Sequence, residues 1–196
     1  MSETFREALV RELTESLESG EFVEIHRNPE SPANFAVGVI QRIETRSVVF
    51  QNIDHEGRFE DLPEELMLSK IFLVRRKTLY LRRLRCLFDG QVAERAALQV
   101  IDVRRRESRI QALTAAKATG QAVSIWIGGD RIEGLVLEVG TQHFRLREFA
   151  TEGHEDGIGI YSHKIVERVR AGSFDETACN YLAQNPVPLG LNSRPS

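Results

Sequence analysis

Val123 to Arg170 reads VSIWIGGDRIEGLVLEVGTQHFRLREFATEGHEDGIGIYSHKIVERVR, and this stretch decides the fold. Apolar and polar residues alternate in five short runs, with a turn signal between neighbouring runs. Gly128-Gly129, between Trp126-Ile127 and Arg131-Ile132, suits a tight hairpin whose central residues need positive φ. Gly140-Thr141-Gln142 and Glu152-Gly153-His154 mark the next two turns, and Ile158 to Tyr161 and Ile165 to Val169 are the last strands. Such runs suffice for one small, strongly bent antiparallel barrel.

The pattern occurs twice. Leu13-Thr14, Ser19-Gly20, Val23 and Ile25 match Leu113-Thr114, Thr119-Gly120, Val123 and Ile125 at a spacing of 100. Four residues fewer bring Gly38 onto Gly134 and Glu56-Gly57 onto Glu152-Gly153. Two fewer again bring Lys70-Ile71 onto Lys164-Ile165. The repeating unit is a helix followed by a barrel.

Residues 4–19 read as the first leading helix, with Thr4 and Glu7 forming a capping box and Gly20 ending it. Phe5, Leu9, Leu13 and Leu17 make its apolar stripe, which suits either the end of the first barrel or a partner. Phe22 to His26, Phe35 to Ile43, Ser47 to Ile53 and Ile71 to Val74 read as strands, the last one buried. Leu62 to Leu66 suits a short helical turn or an irregular edge. Leu79 to Leu87 fits helix or strand. Gln91 to Thr119 is alanine-rich and mostly helical, with a break in the apolar Leu98 to Val103. The expected organisation is residues 1–86 as helix plus first barrel, 87–119 as a helical basic linker, 120–184 as second barrel, and 185–196 as a loose tail. The fold class is mainly β with helices: two five-stranded small barrels, each preceded by an α-helix.

Composition is that of an ordinary globular protein, with 41% hydrophobic and 28% charged residues. No apolar run approaches the roughly 18 residues of a membrane-spanning helix. The acidic, amphipathic MSETFREALVREL lacks the features of a secretory signal, and two cysteines, Cys86 and Cys179, make no disulfide framework. These features predict a cytoplasmic protein without membrane contact. The net charge of -3 is unevenly spread. Residues 1–70 hold 7 Lys/Arg against 15 Asp/Glu, residues 71–110 hold 11 against 4, and residues 111–196 hold 8 against 10. The basic middle suits a polyanion, or it neutralises the acidic first part.

Gly134-Leu-Val-Leu-Glu-Val-Gly-Thr-Gln-His-Phe-Arg-Leu146 resembles the first motif of the Sm-like family, in its Hfq-like bacterial RNA-chaperone branch. Ile160-Tyr161-Ser162-His163-Lys164-Ile165 resembles that branch's Tyr-Lys-His signature strand, with Ser162 where the lysine belongs. The resemblance implies the Sm-like fold, rings built through edge strands, and RNA contact through His163. It does not carry Lys164 over, because one residue's shift along a strand reverses the face. The first half shares the shape and lacks the signature.

The candidate nucleic-acid-binding residues are Arg104, Arg105, Arg106 and Arg109, whose forked donors suit phosphates, with Tyr161 and His163. Each also has a plainer reading, as helix-face charge or as a half-buried, hydrogen-bonded side chain. Trp126 and Phe144 suit base stacking or the core. Arg105 and Arg109 match the Arg-x-x-x-Arg opening of cyclic-dinucleotide-binding PilZ barrels, whose second motif is absent. His154-Glu155-Asp156 is three metal-capable residues in a row, a spacing that seldom converges on one ion. No catalytic motif and no cofactor motif is present. The sequence points to a non-catalytic binding module, for single-stranded RNA or, alternatively, as a protein-interaction or assembly scaffold that self-associates into a homo-oligomer. If the arginines, His163 and Lys164 share one face, RNA is favoured; if they scatter, the scaffold is.

Overall fold

A computed structural model describes residues 3–31, 33–96 and 99–189. The chain divides into two compact units, Met1–Arg85 and Cys86–Ser196. The first runs α1 (Phe5–Ser19), β1 (Val23–His26), β2 (Phe35–Ile43), β3 (Ser47–Asn52), β4 (Glu64–Met67), a 3-10 turn (Leu68–Lys70), β5 (Leu73–Arg76) and the start of α2 (Leu79–Asp89). The second runs α3 (Val92–Arg95), β6 (Ile101–Val103), α4 (Arg106–Thr119), β7 (Ala122–Ile127), β8 (Asp130–Val139), β9 (His143–Phe149), β10 (Glu155–Ser162), β11 (Arg168–Ala171) and α5 (Phe174–Gln184).

Both leading helices form for local reasons. The Thr4 hydroxyl accepts the Glu7 amide at 3.3 Å, and the Glu7 carboxylate accepts the Thr4 amide at 2.7 Å. Gly20 and Gly120 end α1 and α4 in left-handed conformation, with φ of 63° and 66°. Leu9 and Leu13 are buried in α1, whereas Phe5 and Leu17 at the ends of the expected stripe are exposed. In α4, Leu113 takes the place of Leu13. Each helix lies against its own sheet, and the two cores centre on Phe50 and Phe144.

The first sheet has the order β4-β3-β2-β1-β5, and the second β10-β9-β8-β7-β11-β6. All pairings are antiparallel, and the second order repeats the first with β6 added. The repetition reaches single bonds. A bulge lies between Ile40 and Arg42 in β2, and another between Val136 and Glu138 in β8. The turn bond Asp54 N to Arg58 O recurs as Ala150 N to His154 O, both at 2.9 Å. Gly38 and Gly134 hold equivalent places for one reason. A Cβ on Gly38 would lie 1.9 Å from the Gln51 carbonyl oxygen, and one on Gly134 2.2 Å from that of Arg147. Two strands approach where only glycine fits.

Several expectations need correction. Helices and strands contribute comparable lengths, so the protein is mixed α/β with antiparallel sheets rather than mainly β. Closed five-stranded barrels are not formed by pairing. Among the described residues no ladder joins β4 to β5 or β10 to β11. Of the two readings for residues 62–66, the edge holds: Glu64 to Leu66 lie in β4, the outer strand of its sheet, with Leu66 in the core opposite Val48. Leu73 is half exposed in β5, and the buried residue of that run is Ile71. Of the two readings open for Leu79 to Leu87, helix and strand, the helix is the one formed. The pairing of His26 with Leu73 and of Trp126 with Arg168 shifts the second alignment step by one residue, so Leu68 is the counterpart of His163. Residues 87–119 supply α3, β6 and α4 to the second unit. Val187 is buried and its amide donates to Glu152 O at 3.0 Å, so the segment just past 185 is pinned; residues 190–196 lie outside the described residues.

Candidate functional site

The three arginines Arg104, Arg105 and Arg106 are exposed at the start of α4. Arg106 donates from Nη2 to the Thr141 carbonyl at 3.2 Å, as Arg6 does to Thr45 at 2.6 Å in the first unit. One turn later Arg109 points inward and is only 9% exposed. Its guanidinium donates to the carbonyls of Val166 and His163, the second at 3.1 Å. Those carbonyls lie in the link between β10 and β11, where no strand partner satisfies them. Arg109 therefore ties α4 to that link. In the first unit Leu9 stands at the equivalent position.

His163 is 2% exposed. Its backbone amide donates to Gln142 O at 3.0 Å, matching Leu68 N to Arg46 O in the first unit. Its Nε2 lies 2.9 Å from Gly140 O, which requires the proton on that nitrogen. The ring is tilted over Phe144 at 5.4 Å. Tyr161 stacks on the other part of Phe144 at 5.5 Å, and its hydroxyl donates to Glu148 Oε1 at 2.5 Å. Burial, and then the neighbouring Glu148, push the Tyr161 hydroxyl above its ordinary range. The structure thus brings Arg109 and His163 together, joined through a carbonyl. Arg104, Arg105 and Arg106 stay outside, and Lys164 is exposed. The six residues and Lys164 do not form one open face.

A charged layer that no sequence motif marks as a site covers the outer side of β7 and β11. Trp126 lies beneath Arg168 at 4.4 Å and Arg170 at 5.3 Å. Arg168 grips Asp102 of β6 with two nitrogens. Arg170 reaches Asp175 at 2.5 Å and Glu176 at 3.0 Å, and Arg131 reaches Asp175 at 2.6 Å. Glu176 is buried, accepts the Ser124 hydroxyl, and closes the α5 capping box with Ser173. In the first unit the buried carboxylate near the counterpart arginine belongs to β1 itself: Glu24 lies 3.5 Å from Arg75 and accepts the Thr78 hydroxyl at 2.5 Å. The signals were Ser173-x-x-Glu176 and the alternation of Arg168 and Arg170.

Burial pushes the Asp175 carboxyl up, but Arg131 and Arg170 outweigh it and hold it below its ordinary value. Asp102 is held low by Arg168. A carboxylate with a lower pKa folded than unfolded adds stability above its unfolded pKa and loses it as pH falls through the folded one. Thermal unfolding followed by circular dichroism should hold a plateau near neutrality and fall steeply below about pH 4. Asp175→Asn should lower the plateau and flatten that fall. An unfolding temperature unchanged into the acid range would contradict the assignment.

The outermost strand β10 leaves Ile158 and Ile160 exposed by 50% and 69%. Gly157 to Ser162 carries no charge. Among the described residues no three His, Cys, Asp or Glu side chains converge as metal ligands; His154 Nε2 instead meets Val187 O at 2.7 Å. Burial pushes the Cys179 thiol up to about 12 and raises that of Cys86. Neither thiol is an activated nucleophile. No helix among the described residues is long and apolar enough to cross a membrane. Comparison with protein-family models, curated proteins and solved structures gives no match.

Proposed function

We propose that the chain is a non-catalytic binding module, two Sm-like helix-and-sheet units in tandem, and that it holds another protein chain rather than single-stranded RNA. A helix leading into five short antiparallel strands, twice over, supports the Sm-like reading. The choice of ligand is carried by how the candidate cations are spent. Arg109 serves two backbone carbonyls, and His163 and Tyr161 are committed to Gly140 and Glu148. Arg104, Arg105 and Arg106 are left at the surface, fewer groups than a phosphate track needs. The β10 edge offers the opposite chemistry. Its main-chain groups face outward, uncharged and flanked by exposed isoleucines, which favours pairing with another strand. Antiparallel self-pairing about Gly159 sets Ile158 opposite Ile160, so a homo-oligomer is one form of this binding. The place of action is the cytoplasm, with both cysteines as thiols.

The test has two arms. Labelled single-stranded RNA is titrated against the full chain and an Arg104/Arg105/Arg106→Ala variant at low and high salt. In parallel, light scattering gives the mass of the full chain and of Ile160→Lys. Absence of micromolar RNA binding at low salt, with association that Ile160→Lys abolishes, supports the proposal. Micromolar RNA binding weakened by salt and by the triple change overturns it in favour of RNA.

A further inference from the structure

In the second unit the outer edge of β11 is occupied. β6 pairs with it antiparallel, setting Ile101 opposite Ala171, Asp102 opposite Arg170 and Val103 opposite Val169. Arg168, diagonal to Asp102, closes the two-nitrogen grip on that carboxylate. The counterpart strand in the first unit is β5, and its edge is open: among the described residues β5 pairs only with β1. The equivalence holds residue by residue. Leu73, Val74 and Arg75 face His26, Ile25 and Glu24; Arg168, Val169 and Arg170 face Trp126, Ile125 and Ser124.

The β5 edge is short and carries Arg75 and Arg76, cations that would repel a basic segment and admit an acidic one. It carries no proline, lysine or bulge, Leu73 is half exposed, and the Arg75 side chain is 54% exposed. Unpaired strand edges take up extended segments by main-chain bonding, and the side chains beside them set the preference. The second unit shows what such a segment looks like on this scaffold: apolar, acidic, apolar.

We propose that the outer edge of β5 is a docking site for an extended segment of a partner protein with alternating apolar and acidic side chains, added antiparallel as β6 is added to β11. The inference rests on the protein-binding reading above and names a partner chemistry and a second edge for it. In the β6 register the acidic residue lies opposite Arg75, whose guanidinium lies 3.5 Å from the buried Glu24 carboxylate and is 54% exposed, so a second carboxylate can reach it from the solvent side. Its apolar neighbour lies opposite Val74. Leu73 stands where Arg168 stands, so the diagonal grip is missing and the segment is held less tightly than β6.

The experiment titrates the 15N-labelled full chain with a capped peptide of the sequence of residues 99–103, Gln-Val-Ile-Asp-Val. Saturable shifts at the amides of Leu73 to Arg76 are the expected result. They should vanish for a peptide N-methylated along its backbone. Leu73→Arg rebuilds the diagonal grip and should tighten the aspartate peptide roughly two- to fivefold, and its asparagine analogue not at all. No shift at β5, shifts confined to β11 through displacement of β6, or equal binding of the N-methylated peptide would each overturn the inference. If the peptide fails while Ile160→Lys still abolishes association, the β5 site falls and the broader reading stands.

Discussion

Replacing Arg109 by alanine should cost about 2–5 kcal/mol of stability, the loss expected from leaving two buried carbonyls without their charged donor. The guanidinium reaches the carbonyls of Val166 and His163 from a site only 9% exposed. Without it two acceptors in the β10–β11 link are left buried and unpaired, and a cavity opens beneath α4. Urea unfolding of the full chain measures the loss. Arg109→Leu carries an extra meaning, because leucine is what the first unit uses at Leu9. There Leu68 replaces His163, and both are buried in an apolar cluster. The single change should recover packing but not the carbonyl partners, so it should fall between wild type and alanine. A loss below about 1 kcal/mol for alanine would mean that water serves the carbonyls and that Arg109 is available to a ligand.

Gly134→Ala should be damaging out of proportion to one methyl group, by about 3 kcal/mol or more, since overpacking here meets backbone rather than a mobile side chain. The added carbon would lie 2.2 Å from Arg147 O and 2.9 Å from the Leu146 side chain. β8 and β9 would have to part at the centre of the second sheet. Gly38→Ala should act alike in the first sheet, against Gln51 O. Gly128→Ala is the control: its φ of 59° is strained for alanine, but nothing lies within 4 Å, so about 1 kcal/mol is expected. Denaturant midpoints for the three variants decide the matter; equal losses at Gly134 and Gly128 would show that conformation alone, and not strand approach, keeps the glycine.

Where a residue's neighbours in sequence decide its state, sequence and structure agree. Thr4 and Glu7 cap α1 as spaced, Phe35 to Ile43 is β2, and Gly128-Gly129 turns the hairpin with positive φ at both residues. The repeat is legible through glycines, at Gly38 and Gly134 because no side chain fits and at Gly20 and Gly120 because the helix ends left-handed. Distant partners were harder. Phe174 to Gln184 carries little local signal: only Ser173 and Glu176 announce α5, and its buried face depends on a sheet formed elsewhere. The signature-like run at Ile160 hid a one-residue slip, since Leu68 and His163 share a place through backbone bonds to Arg46 and Gln142 and not through side-chain type. Arg109 differs from Arg104, Arg105 and Arg106 only in lying one helical turn further on. That turn carries it from solvent to the interior, and no composition reveals it.

Glu176 ends in several duties at once: it caps α5, accepts from Ser124 on β7, and meets Arg170 on β11. A helix flanking a sheet is ordinarily the part of a domain that opens first, exchanging its amide hydrogens while the strands stay closed. Here the carboxylate that starts the helix is the same one that the central strands hold. Unwinding the first turn of α5 would strand Ser124 and Arg170 inside the fold, so the helix and the strands beneath it open as one cooperative piece. The first unit divides these tasks between Thr78 and Glu24 and places the carboxylate on the sheet itself. Its trailing helix can therefore loosen without stripping the sheet of its buried charge. The two units repeat one topology and differ in how far a local fluctuation spreads.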